Sequence, residues 1–430
     1  MSARHTLLLL SSQQHCLDQL PNLGDRAMFG GLLTLIKRHG DCRVLHAPWK
    51  AFPLLTGASL GRSSAEPAMT LAAWARRLGK YSAVRTQLED WMATRLDQPP
   101  LPWIAHATGL AAAVRRRTGV SWLDALRTRL PAHQARSFLR QIGDADAGLL
   151  CGGGIFADHL GRSLPARLFE PYLTLAAGRP TAVVSYSLSL ARPSHQALAR
   201  AVLPRITVHQ LREPRSRPVL TELGVLEERI IDSVDTAFAM PAPARTVSAE
   251  HSRDIAIMIR GDRSVDLDAW ATLVERLRQR YGVRVHYLHG SLHHDPPVRR
   301  ALGRRCRLDD DGRPDDLTGL LAGLGRMAML ITDRYHGFVF ALQTGTPVLP
   351  VASTTHKTAG LLDLLGQSEP VLPPLTGALL DAYLTAVDAV WEQRVSLSAR
   401  GVRFADNACK QLDRDYAELF RRLWAAAARQ

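Results

Sequence analysis

Met327-Ala328-Met329-Leu330-Ile331-Thr332-Asp333-Arg334-Tyr335-His336-Gly337 carries the reading of the fold. Met327 to Ile331 has the length and composition of a buried strand, and His336 to Thr344, closed by Gly345, has the spacing of a buried helix. A strand that passes into a helix through a short polar turn is half of a βαβ unit, and such units assemble parallel sheets covered by helices. The same rhythm continues toward the C terminus, with a strand at Pro347 to Val351 and a helix at Thr358 to Leu365. Helices at Leu375 to Arg394 and Asp406 to Ala427 finish it. Backward from the turn lie a helix at Leu317 to Leu324, a strand at Val283 to Leu288, a helix at Asp266 to Tyr281 and a strand at Asp254 to Arg260. The rhythm then breaks at Met240-Pro241-Ala242-Pro243-Ala244-Arg245, where alternating prolines favour an extended linker.

Upstream of that linker the pattern is the same. Strands are expected at Thr6 to Leu10, Arg43 to His46, Gly148 to Cys151, Thr181 to Ser185 and Ile206 to His209, with helices at Arg26 to Arg38 and Leu164 to Leu175. Between about 52 and 141 the spacing turns helical over Met69 to Leu78, Tyr81 to Leu96 and Ser121 to Leu130, so this stretch reads as a helical insertion. A chain of 430 residues exceeds what one core usually organises. The expected architecture is α/β: two doubly wound parallel-sheet domains facing a central cleft, with ligands at the carboxyl ends of the strands. Residues 1–240 form the N-terminal domain, the expected acceptor side; 251–400 form the C-terminal domain, the expected donor side; 401–430 form a terminal helix.

Composition narrows the function classes. At 46% hydrophobic and 22% charged the chain is an ordinary globular protein, not a disordered one. The net charge of +14 rests almost wholly on arginine and favours anionic partners, whether phosphorylated small molecules, lipid pyrophosphates or an anionic membrane face. Acidic residues are interleaved with the basic ones, so nucleic acid is not expected. Five well-separated cysteines without a CxxC pair argue for reduced thiols and against a zinc site or a disulfide framework. Leu7 to Leu10 is too short for a signal segment, and no stretch has the length of a membrane span, which points to the cytoplasm.

The residues able to carry chemistry lie in turns that follow strands. Arg334 can clamp a carboxylate or phosphate with two parallel hydrogen bonds, and the imidazole of His336 can carry a proton on either ring nitrogen. Tyr335 stands between them; Asp333 paired with Arg334 is the structural alternative. Ser353-Thr354-Thr355-His356-Lys357 occupies the equivalent turn one unit later and makes an anion cradle or a capped helix start. Asn22-Leu23-Gly24-Asp25 follows the first strand, where Asp25 either caps the next helix or binds a sugar hydroxyl. Gly152, Gly153 and Gly154 let backbone approach a ligand, though their spacing matches no phosphate loop. Arg212, ending its strand, either reaches an anion across the cleft or pairs with Glu213 or another acid. His286, His289, His293, His294 and Asp295 crowd together, but no second ligand set with metal-site spacing accompanies them.

Taken in order, Asn22-x-Gly24-Asp25, Gly152-Gly153-Gly154-x-Phe156, Arg212-Glu213, Leu223-Gly224-Val225, Asp235-x-Ala237-Phe238, Asp333-Arg334-Tyr335-His336-Gly337, Gly345-x-Pro347 and Lys357 resemble the polysaccharide pyruvyl transferase family from about Asn22 to about Leu365. The resemblance implies a GT-B-like fold, phosphoenolpyruvate as donor, no cofactor, and a saccharide acceptor that is free or lipid-linked, the latter allowing peripheral contact at the inner face of the membrane. It implies that His336 is the acid/base and that Arg334 and Arg212 hold the donor. Ser185-Tyr186-Ser187-Leu188-Ser189 departs from the glycine-containing turn usual in the family at that place. The competing reading is a GT-B-like glycosyltransferase with a nucleotide-sugar donor.

Overall fold

The computed structural model describes residues 5–10, 22–47, 141–158, most of 167–243, 249–309, 316–367 and 371–429. The helical insertion expected near 52–141 and the linker end at Ala244 and Arg245 lie outside the described residues. Two parallel sheets result. The first has six strands in the order β2-β1-β3-β4-β5-β6, namely β1 His5–Leu10, β2 Cys42–His46, β3 Ala147–Ala157, β4 Thr181–Ser189, β5 Val208–Leu211 and β6 Ile230–Asp232. The second has four in the order β10-β9-β7-β8, with β7 Asp254–Met258, β8 Arg284–Tyr287, β9 Met329–Thr332 and β10 Val348–Pro350. Every pairing within them is parallel, which requires each connection to cross over a face, and both central strands are apolar on both sides.

Differences from the sequence reading have local causes. Strand β3 does not stop at Cys151 but runs on through Gly152, Gly153 and Gly154 to Ala157. Strand β4 lies so close that a Cβ at Gly152 would stand 2.2 Å from the Cβ of Tyr186, so glycine is what lets the ladder continue. The last helix runs from Arg394 to Ala427, 34 residues, far beyond the expected start at Asp406. Its buried stripe, Ala408, Leu412, Tyr416, Leu419, Phe420 and Leu423, falls entirely in the expected part; the first three turns bury only Gly401 and carry no periodic signal.

Two helices and this terminal one fasten the sheets together. Leu32 and Leu35 of the helix Leu23–His39, Phe338 and Phe340 of the helix Tyr335–Thr344, and Leu412 and Leu419 of the terminal helix share one buried cluster with Leu7, Val184 and Met258. A core that draws from both sheets holds the strand ends at a defined separation. The backbone joins them too: Leu23 N–H donates to the Gly290 carbonyl at 3.0 Å, and Asn22 bridges to Ser291. Among the described residues no helix is long and apolar enough to cross a membrane.

Candidate active site

The segments that follow β5, β7, β8, β9 and β10, the glycine run of β3 and the first turns of the helix Leu23–His39 open on one cavity of about 430 Å³. Among the described residues its charged lining is mostly basic, with Arg167, Arg212, Arg260, Arg334 and Lys357 against Asp25 and Asp262; His294 and His336 line it as well. Each cation is held differently, and the differences set what each can do.

Arg212 ends β5 and is 1% exposed. Its Nε donates to Ser187 Oγ at 2.9 Å and its Nη1 to Asp235 Oδ2 at 2.8 Å, while the guanidinium lies 4.2 Å from the ring centre of Tyr335. Of the acid partners the sequence left open, it is another acid, Asp235, and not Glu213 that is used. Ser185 explains how a serine-rich strand replaces a glycine turn here. It takes a left-handed backbone (φ 53°), which costs a non-glycine residue on the order of 1 kcal/mol. Its N–H donates to Gln210 Oε1 at 2.5 Å and its Oγ accepts from Thr236 N–H at 3.0 Å. The strand therefore continues to Ser187, the residue that orients Arg212.

His336 sits in the first turn of the helix Tyr335–Thr344, one turn earlier in the cleft than its apolar support Phe340, whose ring is 6.2 Å away. Its Nε2 lies 3.5 Å from Asp235 Oδ2, the oxygen that also accepts from Arg212. At that separation the pair is an electrostatic contact, and Nε2 is buried without a hydrogen-bond partner among the described residues. Asp235 is fully buried, and burial by itself would raise its carboxyl. His336, Arg212 and the Ala237 N–H outweigh that and hold it down at about 2. The other face of the imidazole rests on Gly24, where a Cβ would stand 2.0 Å from Nδ1. Asn22, not Asp25, caps the helix that begins there, its Oδ1 accepting from Gly24 N–H at 3.0 Å, which leaves Asp25 to line the cavity.

Arg334 does not pair with Asp333. It forms an ion pair with Asp295, whose fully buried carboxylate also accepts from the N–H groups of Gly261, Gly290 and Ser291 at 2.8 to 3.1 Å. Asp333 turns away to Arg263 and to the Arg260 N–H. Arg260, a cavity residue that sequence reasoning passed over, is clamped by Asp262 through Nε at 2.9 Å and Nη2 at 2.6 Å. Ser353 and Thr354 face its Nη1 at 3.4 and 3.3 Å, so these hydroxyls support an arginine and do not themselves line the cavity. Lys357 begins its helix and points into the cavity near Gly154, its Nζ 4.0 Å from where a Cβ on that glycine would lie. Removal from bulk water, with Arg212 and Arg260 adding repulsion, pushes its ammonium down to about 7.

Gly152 and Gly154 line the cavity; Gly153, with φ of 84°, faces Met28 instead. The histidine cluster disperses: His286 is held by Asp254 at 2.9 Å, and only His294 of the group reaches the cavity. Asp235 was legible as part of the Asp235-x-Ala237-Phe238 motif, but nothing in the residues marked it as a site group. Arg260 carried only the signal of a polar residue closing an apolar strand.

The family model for polysaccharide pyruvyl transferases matches residues 22–355. The chain belongs to the polysaccharide pyruvyl transferase family. No curated protein matches it. Among solved structures it is similar to an S. aureus MnaA–UDP co-structure, at 11% identity over 93% of each chain with a TM-score of 0.51. It is also similar to a Listeria monocytogenes protein assigned as a UDP-N-acetylglucosamine 2-epimerase, at 13% identity over 95% of this chain and 94% of that one, TM-score 0.51. At such identities the likeness is one of fold, and it establishes the GT-B-like arrangement of this chain.

Proposed function

We propose that the protein transfers the enolpyruvyl unit of phosphoenolpyruvate to a pair of hydroxyls on a saccharide, forming a pyruvate ketal and releasing phosphate. The observation that carries this reading is the meeting of Arg212 and His336, from opposite sheets, on one oxygen of the buried Asp235 while both line a basic cavity. Phosphoenolpyruvate presents a carboxylate and a phosphate on one carbon, and Arg212, Arg334, Arg260 and Lys357 supply several cations within one small volume. His336 protonates the methylene carbon, which leaves the adjacent carbon electrophilic. One sugar hydroxyl adds to it and gives up its proton. The C–O bond to phosphate then breaks, and a neighbouring hydroxyl closes the ketal and surrenders a second proton. One proton ends on the new methyl group and the other on the released phosphate, so a single imidazole that gives and regains a proton suffices. Asp25 and Asn22 line the same cavity and would accept hydrogen bonds from the acceptor hydroxyls.

The acceptor is a polysaccharide unit or its lipid-linked precursor, and the working place is the cytoplasm, with contact at the inner membrane face when the acceptor is lipid-borne. The deciding experiment measures phosphate release from phosphoenolpyruvate with a panel of lipid-linked and free oligosaccharides. Release that requires both acceptor and His336 supports the reading. Thermal stabilisation by UDP-sugars and not by phosphoenolpyruvate would replace it with nucleotide-sugar transfer.

A further inference from the structure

We infer that Asp235 is the positioning residue of the acid/base: it holds the imidazole of His336 so that Nε2 carries a fixed proton and Nδ1 is the nitrogen that exchanges protons with substrate. This inference rests on the reading of His336 as the proton carrier. Three observations lead to it. Nε2 is buried and faces a carboxylate that burial alone would neutralise but that its neighbours keep ionised, and an ionised carboxylate is an acceptor only. Water and substrate do not reach that side of the ring.

Secondly, His336 as a whole lines the cavity while Nε2 is closed off, so the proton exchange with a ligand falls to Nδ1, which packs against the side-chain-free Gly24. Thirdly, Asp235 is itself immobilised. Its Oδ1 accepts from the Ala237 N–H at 2.9 Å and its Oδ2 from Arg212 at 2.8 Å, and Arg212 is pinned in turn by Ser187 and the Tyr335 ring. A carboxylate fixed on one sheet thus sets the orientation of an imidazole carried by the other, and the acid/base is complete only when both halves are packed together. In the bound complex the 3.5 Å contact is expected to shorten into a hydrogen bond, as such contacts do when a site fills.

The test uses the full chain labelled with 15N-histidine, with His336→Gln identifying the resonance by its loss. Neutral His336 with its proton on Nε2, and a pyridine-type Nδ1 whose shift moves when phosphoenolpyruvate is added, is the expected result. A proton on Nδ1 in the free protein overturns the inference whatever the turnover. Asp235→Asn supplies the kinetic counterpart. Loss of positioning lowers kcat by about 100-fold or more with a smaller change in KM, and Asp235→Glu recovers part of it. A rise in KM for phosphoenolpyruvate with kcat intact would mean that Asp235 serves Arg212 alone and would also overturn the inference. If the Nε2–H form is found but no acceptor supports phosphate release, the positioning stands and the pyruvyl transfer reading fails.

Discussion

Two histidines of the second sheet each meet a buried carboxylate of the first, and the two pairs do different things. His336 faces Asp235 at 3.5 Å within the cavity. His356 faces Glu213 at 3.3 Å outside it, where Ser216 Oγ donates to the same carboxylate. Beside that second pair the halves pack so tightly that a Cβ at Gly360 would stand 2.5 Å from Glu213 Oε2, and Arg215 clasps Asp363 through Nε at 2.6 Å and Nη2 at 3.0 Å. The chemistry of the contact is the same, so the location decides the job. One pair stands beside a basic void, where the proposed reaction would use it; the other stands where the two halves pack together.

Breaking the first pair from the arginine side has the largest expected effect. Arg212→Ala leaves Asp235 buried without its counter-ion, which costs about 3–5 kcal/mol of stability, seen as a lower urea midpoint. Removing the imidazole comes next: His336→Ala lowers phosphate release from phosphoenolpyruvate about 100-fold or more, equivalent to about 2.7 kcal/mol, with a loss of stability well below that of Arg212→Ala because Asp235 keeps its arginine. Gly24→Ala sharpens the point, because it touches no charge. The added methyl would lie 2.0 Å from Nδ1 and must push the ring aside, so turnover falls by roughly 10- to 100-fold while His336 remains present.

Lys357 tests the cavity by pH. Its protonated form attracts the donor and its pKa in the free protein is pushed down to about 7, so its contribution to binding is full below that pH and is lost as pH rises above it. Wild-type affinity for phosphoenolpyruvate should exceed that of Lys357→Met by roughly tenfold at the acid end, and the two should converge toward alkaline pH; a constant ratio would contradict this. Smallest of all is His356→Ala, expected to cost about 1 kcal/mol of stability with turnover unchanged, since its partner keeps Ser216. Comparable losses of turnover in His336→Ala and His356→Ala would erase the distinction between the two pairs.

Much of this was legible in the residues. Apolar runs bounded by turn residues located most strands, and the Asp333-Arg334-Tyr335-His336-Gly337 turn located the second wall of the cavity. Partners were less legible. Both Arg334 with Asp333 and Arg212 with Glu213 were natural pairings by adjacency, yet the structure joins Arg334 to Asp295 and Arg212 to Asp235. Adjacent residues in an extended segment point to opposite sides, so a neighbour in sequence is seldom the neighbour in space.

Periodicity, turn chemistry and the order of motifs were enough to determine an α/β chain with two parallel sheets, its family, and the residue types available for anion binding and proton transfer. Only the tertiary structure decided which acid neutralises which cation and which nitrogen of His336 is buried. It also decided that Asp235, 101 positions before His336 in the chain (336 minus 235), belongs beside it. The physical reason is one of range. Hydrophobic pattern is written locally and survives in the sequence, whereas an ion pair depends on a few ångströms fixed by the packing of two sheets and three helices on a shared core.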